Sequence, residues 1–288
     1  MMIKSKIGSN EQYKYWNSSV YYWLKYDSEI NKKFNNITKL LFSNIDLFNN
    51  KLVLDVGCGS GFTTKIISDS VNDSCKVIGM DLSAPMLNLL EKKYKKTSNI
   101  NTIQADAQNF YFKKKSIDSI ISRFGLMFFH NPFIAFKNLN NALKNKGSIS
   151  FVCWTDFTYN QFFSIPVKIL KEVTGLKKES LSRKPGPFAF NNKNYISNIL
   201  TNSNFNKIKI KTVKTILTAD NIIDDIDIFM KIGIAAKIMR ENNLNKKVIA
   251  KVKNSLKNYL LKYIYNKTGY YKAKVFLVTA VKQNDRKN

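Results

Sequence analysis

At 288 residues, 44% of them hydrophobic, the chain is long enough to bury one well-formed core with room for a lid or appendage. No apolar run approaches the ~20 residues a spanning helix needs, and no apolar stretch follows the N-terminal lysines. Neither a membrane span nor a signal peptide is expected, and the cytoplasm is the default location. The formal net charge of +27 is nearly all lysine, and Arg123, Arg183, Arg240 and Arg286 form no cluster suited to bidentate reading of phosphates or guanines. A specific nucleic-acid partner is therefore not expected.

Residues 11–45 place Tyr15, Trp16, Val20, Trp23, Tyr26, Ile30, Phe34, Ile37 and Leu41 at spacings of three and four, the pattern of helices with one apolar face. Lys51 to Val56 is a short apolar run that suits a buried strand. The helical spacing of Gly61 to Val71 follows. A second strand, Lys76 to Asp81, leads into Ser83-Ala84-Pro85, which opens a helix with Ser as cap and Pro in the first turn. Strands at Ile100–Ala105, Ser116–Ser122 and Ser148–Trp154 follow, with a helix starting at Asn131-Pro132 and stopped by Gly147. Strands alternating with helices predict a mostly parallel sheet covered on both faces.

Beyond Trp154 the rhythm changes. Helical stretches are expected at Phe162–Val173, Asn192–Thr201, Asn221–Asn243 and Lys246–Tyr265, and strands at Lys207–Leu217 and Tyr271–Lys282. No repeat and no Pro-, Gly- or Ser-rich linker divides the chain. The expectation is a single domain over 1–288, with a helical lid in 1–48 and a cap in 155–204.

The segment richest in chemistry is Asp55-Val-Gly57-Cys-Gly59-Ser-Gly61. A glycine-rich turn between strand and helix brings a ligand against backbone amides at a helix N-terminus. A dinucleotide fingerprint would place the third glycine at 62, which is Phe62, so NAD and FAD are disfavoured. Asp55 could engage a cationic amino group. Asp81 ends the second strand, where a carboxylate can accept ribose hydroxyls, and Asp106 follows the third, placed for an adenine amine. Each could instead be a helix cap or a surface charge. Their order, each at the end of a successive strand with Ser122–Leu126 after the fourth, argues for one ligand.

Val53–Gly61, Gly79–Met86 and Gln104–Ala107 resemble the successive motifs of class I S-adenosylmethionine-dependent methyltransferases. The branch containing the ubiquinone and menaquinone C-methyltransferases and many small-molecule methyltransferases is the most similar, over roughly residues 11–190. The resemblance implies a Rossmann-like α/β fold with a seven-stranded, mostly parallel sheet whose last strand is antiparallel. It implies S-adenosylmethionine as cofactor, with its methionine part against the backbone of Gly57, Cys58, Gly59, Ser60 and Gly61 and its amino group near Asp55. Asp81 would hold the ribose, Leu82 and Met86 would flank the adenine, and Asp106 with Ala107 would take its edge. Arg123 stands at a cofactor-contacting position where the quinone enzymes usually carry a small polar residue.

The reaction expected is in-line methyl transfer to O, N or C of a small molecule. The rivals are a quinone-pathway C-methyltransferase, an RNA-directed enzyme and a non-catalytic cofactor-binding protein. Ser122-Arg-Phe-Gly125 is unlike the Asn/Asp-Pro-Pro-aromatic motif of enzymes that methylate exocyclic amines. The one histidine, His130, is the candidate general base, or else a neighbour of a helix start. Tyr15, Trp16 and Trp23 could cover a sulfonium or simply pack a helix. Trp154, Phe157, Tyr159, Phe162, Phe163, Phe188 and Phe190 could line an apolar pocket or form core. The cysteines, Cys58, Cys75 and Cys153, have no ligand-like spacing, and no metal site is expected.

Overall fold

A computed structural model describes residues 10–43, 45–176 and 184–284. Parts of the expected lid (1–9 and 44) and cap (177–183) lie outside the described residues, as does the side chain of Tyr15. The chain opens with three helices, α1 (Asn10–Lys25), α2 (Asp27–Lys33) and α3 (Asn35–Phe42). There follow β1 (Leu52–Val56), α4 (Phe62–Ser70), β2 (Lys76–Asp81), α5 (Ala84–Tyr94), β3 (Ile100–Gln104), β4 (Ile117–Arg123), α6 (Pro132–Ala142) and β5 (Leu143–Trp154).

The second half holds α7 (Gln161–Thr174), α8 (Lys193–Asn202), β6 (Phe205–Thr218), α9 (Ile222–Lys231), α10 (Gly233–Glu241), α11 (Lys246–Leu260) and β7 (Tyr270–Lys282). One seven-stranded sheet results, in the order β3-β2-β1-β4-β5-β7-β6. The first five strands run parallel, and β7 is antiparallel to both its neighbours, as expected. β1 is central and apolar because both faces are covered, with Val53 and Leu54 almost fully buried.

Strand order reverses between β1 and β4. Connections leave those two strands toward opposite sides, so their C-terminal ends part and leave a crevice. The glycine loop and the Ser122–Leu126 turn both open into it.

Two features place the helices over that crevice. β5 pairs with β7 only from Ser148↔Val281 to Trp154↔Val275, whereas β6 and β7 continue together to Thr218↔Tyr270. This ribbon overhangs the end of β5, and the connection across its tip carries α9 and α10 back over the site, with α11 packed against α7 and α9. The expected helix over Asn221–Asn243 is two helices, broken where Gly233 takes φ +82°. Within the stretch 155–204, α7 faces the crevice, whereas α8 packs against β6 and α6.

Candidate active site

The glycine loop is fixed from below by backbone and side chain together. The amide nitrogens of Gly57 and Cys58 donate to the Met80 carbonyl at 2.8 and 3.1 Å. Asp81 accepts the Gly59 amide through Oδ2 and the Ser83 amide through Oδ1, each at 2.9 Å. The Ser122 hydroxyl donates to the Val56 carbonyl at 2.7 Å and so holds the β4 turn against β1. The two loops meet backbone to backbone: a Cβ on Gly57 would lie 2.7 Å from the Gly125 Cα. Gly57 also has φ +70°, so both its torsion and its neighbour call for glycine. Gly59 has φ +54° with open space where a Cβ would stand, which leaves its backbone bare to the crevice.

One cavity runs along this edge. Gly57, Cys58, Gly59, Ser60, Asp81, Leu82, Met86, Asp106, Ala107, Arg123 and His130 all line it. Two of the expected site residues do not. Gly61 caps α4 with its Cα against the Leu90 side chain. Asp55 is fully buried behind the loop, where Oδ2 accepts the Thr63 and Thr64 hydroxyls at 2.7 Å each. Oδ2 is thus turned into the first turn of α4, while Oδ1 is buried with no hydrogen-bond partner among the described residues. Burial pushes its carboxyl up to about 6, against the pull of the two threonines.

Burial also raises the Asp81 carboxyl, opposed by the amides it accepts, and raises that of Asp106, opposed by the Gln108 amide. The Ser83 hydroxyl, in a residue 1% exposed, lines the cavity with no hydrogen-bond partner among the described residues. An orphan hydroxyl in such a wall fits a polar ligand. Beside it Leu82 and Met86 give an apolar slot, and the bare Gly59 backbone leaves room for a close approach. These residues suit a nucleoside with a polar tail.

The helices complete the enclosure. Asp27, at the start of α2, contacts the Ser60 hydroxyl and Lys93, so α2 is tied to the glycine loop and to α5. Arg123 reaches the lid, donating to the Thr38 hydroxyl at 2.8 Å and to Asn31 Oδ1 at 2.5 Å. Trp16 and Trp23 both line the cavity, with Trp16 edge-on to Phe128 at 4.8 Å. Behind α2, Lys33 forms a buried ion pair with Asp225 of α9 at 2.5 Å. Asp225 also accepts the hydroxyls of Tyr265 (2.7 Å) and Tyr271 (2.5 Å), and burial with that carboxylate raises both phenols.

Past the glycine loop the cavity becomes aromatic. Phe124 has φ +67°, and its ring stacks on Trp154 at 4.2 Å. Phe34, Phe162, Phe163, Phe229, Ile232 and Ile234 add to this chamber. Of the other aromatics singled out in the sequence, Phe190 packs into the core with Phe136, and Phe188 packs against Phe157 and Phe163; neither lines the chamber. Tyr159 is 57% exposed. Asp27, Asn31 and the α9–α10 wall went unseen in the sequence, since Asp27 reads as an ordinary charge at a helix start.

A mostly parallel sheet with a glycine loop at its switch point, Asp81 ending β2 and Asp106 just after β3 is a Rossmann-like arrangement with a ligand crevice. Comparison with known proteins narrows the class. The family described as a methyltransferase domain matches residues 54–151. Demethylmenaquinone methyltransferase of Staphylococcus haemolyticus is 31% identical over 169 residues, covering 55% of this chain and 70% of that protein. Among solved structures, YcgJ of Bacillus subtilis superposes with TM-score 0.56 at 17% identity, over 87% of this chain and all of the other. Phosphoethanolamine N-methyltransferase 2 of Haemonchus contortus, solved with S-adenosylhomocysteine and phosphomonomethylethanolamine, gives 0.51 at 16% identity, over 86% and 53%. The chain belongs to the class I S-adenosylmethionine-dependent methyltransferases; it is an enzyme, and S-adenosylmethionine is its cofactor.

Proposed function

We propose that the enzyme methylates a flat, apolar small molecule held in the aromatic chamber beside the glycine loop. The observation that carries this reading is the chamber itself, walled by Phe34, Phe124, Trp154, Phe162, Phe163 and Phe229. S-adenosylmethionine, when bound, would supply a sulfonium-activated methyl group. The protein's part is to hold both reactants and to keep water out. Asp81 is placed for the ribose hydroxyls, with its position fixed by the Gly59 and Ser83 amides. Leu82 and Met86 would flank the adenine, and Asp106 with Ala107 would meet its edge. Gly57 to Ser60 present backbone to the amino-acid end, while Asp55 and Gly61 shape the loop from behind.

In-line displacement needs the acceptor atom close to the methyl group and opposite the sulfur. The rigid stack of Phe124 on Trp154 offers a flat surface for that alignment. An acceptor that must lose a proton hands it to His130, an exposed imidazole on the cavity wall and the only histidine of the chain. Exchange to His130→Asn should then lower turnover at neutral pH for a protic acceptor and leave cofactor affinity unchanged; equal turnover would remove the imidazole from the reaction.

A quinone-type ring is the second reading. It is favoured by the similarity to a demethylmenaquinone methyltransferase over 70% of that protein, together with the apolar chamber. Labelled-methyl transfer across a panel of naphthoquinols, apolar phenols, polar amines and RNA is the test of both. Label on the flat apolar acceptors supports the proposal. Label on amines or RNA alone, or on none of the panel, would count against it.

A further inference from the structure

Among the described residues, Arg123 lines the cavity without an ion-pair partner. Arg123 uses two of its five N–H donors on neutral oxygens, those of Thr38 and Asn31. Its guanidinium lies over the rings of Phe62 and Phe34, with centroids at 5.2 and 6.0 Å. Among the described residues no carboxylate stands within ion-pair distance of it, and Asp55 and Asp27 act on it only from farther away. Burial draws the group down to about 10, so it is charged at neutral pH in surroundings that disfavour charge. A half-buried guanidinium with only neutral hydrogen-bond partners is better satisfied when a ligand carboxylate completes it.

Position selects the ligand group. If Asp81 and Asp106 take the adenosine over the ends of β2 and β3, the opposite end of the cofactor falls over β1 and β4. Arg123 ends β4, and the ring beneath it, Phe62, opens α4 directly after the glycine loop. The group reaching that point is the α-amino-acid end of S-adenosylmethionine, whose carboxylate matches a guanidinium fork. We propose that Arg123 receives this carboxylate, and that Asn31 and Thr38 are positioning residues that hold its guanidinium toward the cavity. The inference rests on the methyltransferase reading above. It also gives the lid a function, because Asn31 donates to Asp27 at 3.0 Å and Asp27 contacts Ser60. Carboxylate, Arg123, α2 and the glycine loop then form one connected unit.

The test compares two ligands that differ only in the group at issue. S-adenosylmethionine and its decarboxylated analogue share adenosine, sulfonium and amine. Calorimetry on the wild type should show tighter binding of the carboxylated form. Arg123→Met should lose roughly ten- to hundredfold affinity for S-adenosylmethionine while changing the affinity for the analogue by less than about threefold, and Arg123→Lys should recover part of the loss. Asn31→Ala, which leaves the arginine in place but unanchored, should show a smaller loss of the same selective kind and covers the case in which Arg123→Met does not fold. Equal losses for both ligands, or unchanged affinity for S-adenosylmethionine, would overturn the assignment. A wild type that binds neither ligand would instead overturn the methyltransferase reading on which it rests.

Discussion

At the scale of single residues the glycine loop separates two demands that a motif merges. At Gly57 an added methyl group meets the Gly125 backbone, so Gly57→Ala must push the β1 and β4 loops apart. The left-handed torsion alone costs an alanine about 1–2 kcal/mol, and the collision adds to it. Gly57→Ala should therefore lower both the melting temperature and cofactor affinity. Gly59 has the same torsional sign but open space beside it, so Gly59→Ala should cost only the torsional part, about 1–2 kcal/mol of stability. It should nonetheless weaken cofactor binding more than tenfold, since the new methyl group occupies the ligand's approach. Melting curves and titrations on the two variants check the contrast; parallel losses in both would erase the distinction.

Asp55 supplies a pH test. Its carboxyl is at about 6 when folded, against 3.8 in a free side chain, so the folded protein holds this proton the more tightly. That contribution is fully present below about pH 4 and is lost as pH rises through 6. Its full size is about 3 kcal/mol, from the shift in its proton affinity. Urea unfolding of the ligand-free protein should show this decline in wild type and not in Asp55→Asn. A constant difference between the two across the range would contradict it.

At the scale of elements, the lid and the β6–β7 connection are joined by the buried Lys33–Asp225 pair, 3% and 0% exposed. Asp225→Asn would leave the Lys33 ammonium buried without its counter-charge, an arrangement that costs roughly 3–5 kcal/mol. The loss should appear as a lower urea midpoint, and Lys33→Met in the same chain should recover part of it. A midpoint unchanged by Asp225→Asn would mean that the lid does not depend on this pair. Neither residue was legible beforehand. Lys33 is one lysine among many, Asp225 reads as a charge in the first turn of a helix, and 192 positions of chain separate them. By contrast, the glycine loop and the acids after β2 and β3 were legible, because backbone demands and strand ends set their positions locally.

At the scale of the molecule, the three tryptophans of the chain, Trp16, Trp23 and Trp154, all line the cavity. Intrinsic fluorescence therefore reports almost wholly on the site, and saturation with S-adenosylhomocysteine should shift or quench it. The same ligand at 100 times its dissociation constant should add about 2.7 kcal/mol of stability, a rise of roughly 5 °C or more in melting temperature. No change in either signal on addition of ligand would speak against cofactor binding at this edge. The charge of +27 acts separately, through polyanion binding that should vanish as salt rises.

Periodicity, the placement of glycine and proline, and the acids that end successive strands determined by themselves the alternating fold and the ligand crevice at the ends of β1 and β4, while the resemblance of those motifs to a known family named the cofactor. These are properties of short segments, each fixed by backbone geometry within a few residues. What only the tertiary structure decided is the enclosure. The extension of β6 and β7 past Trp154 brings α9 and α10 over the crevice and Asp225 back to Lys33, and the packing of α2 against the end of β4 brings Asn31 to Arg123. Such contacts depend on how distant elements pack, and no spacing along one segment encodes them.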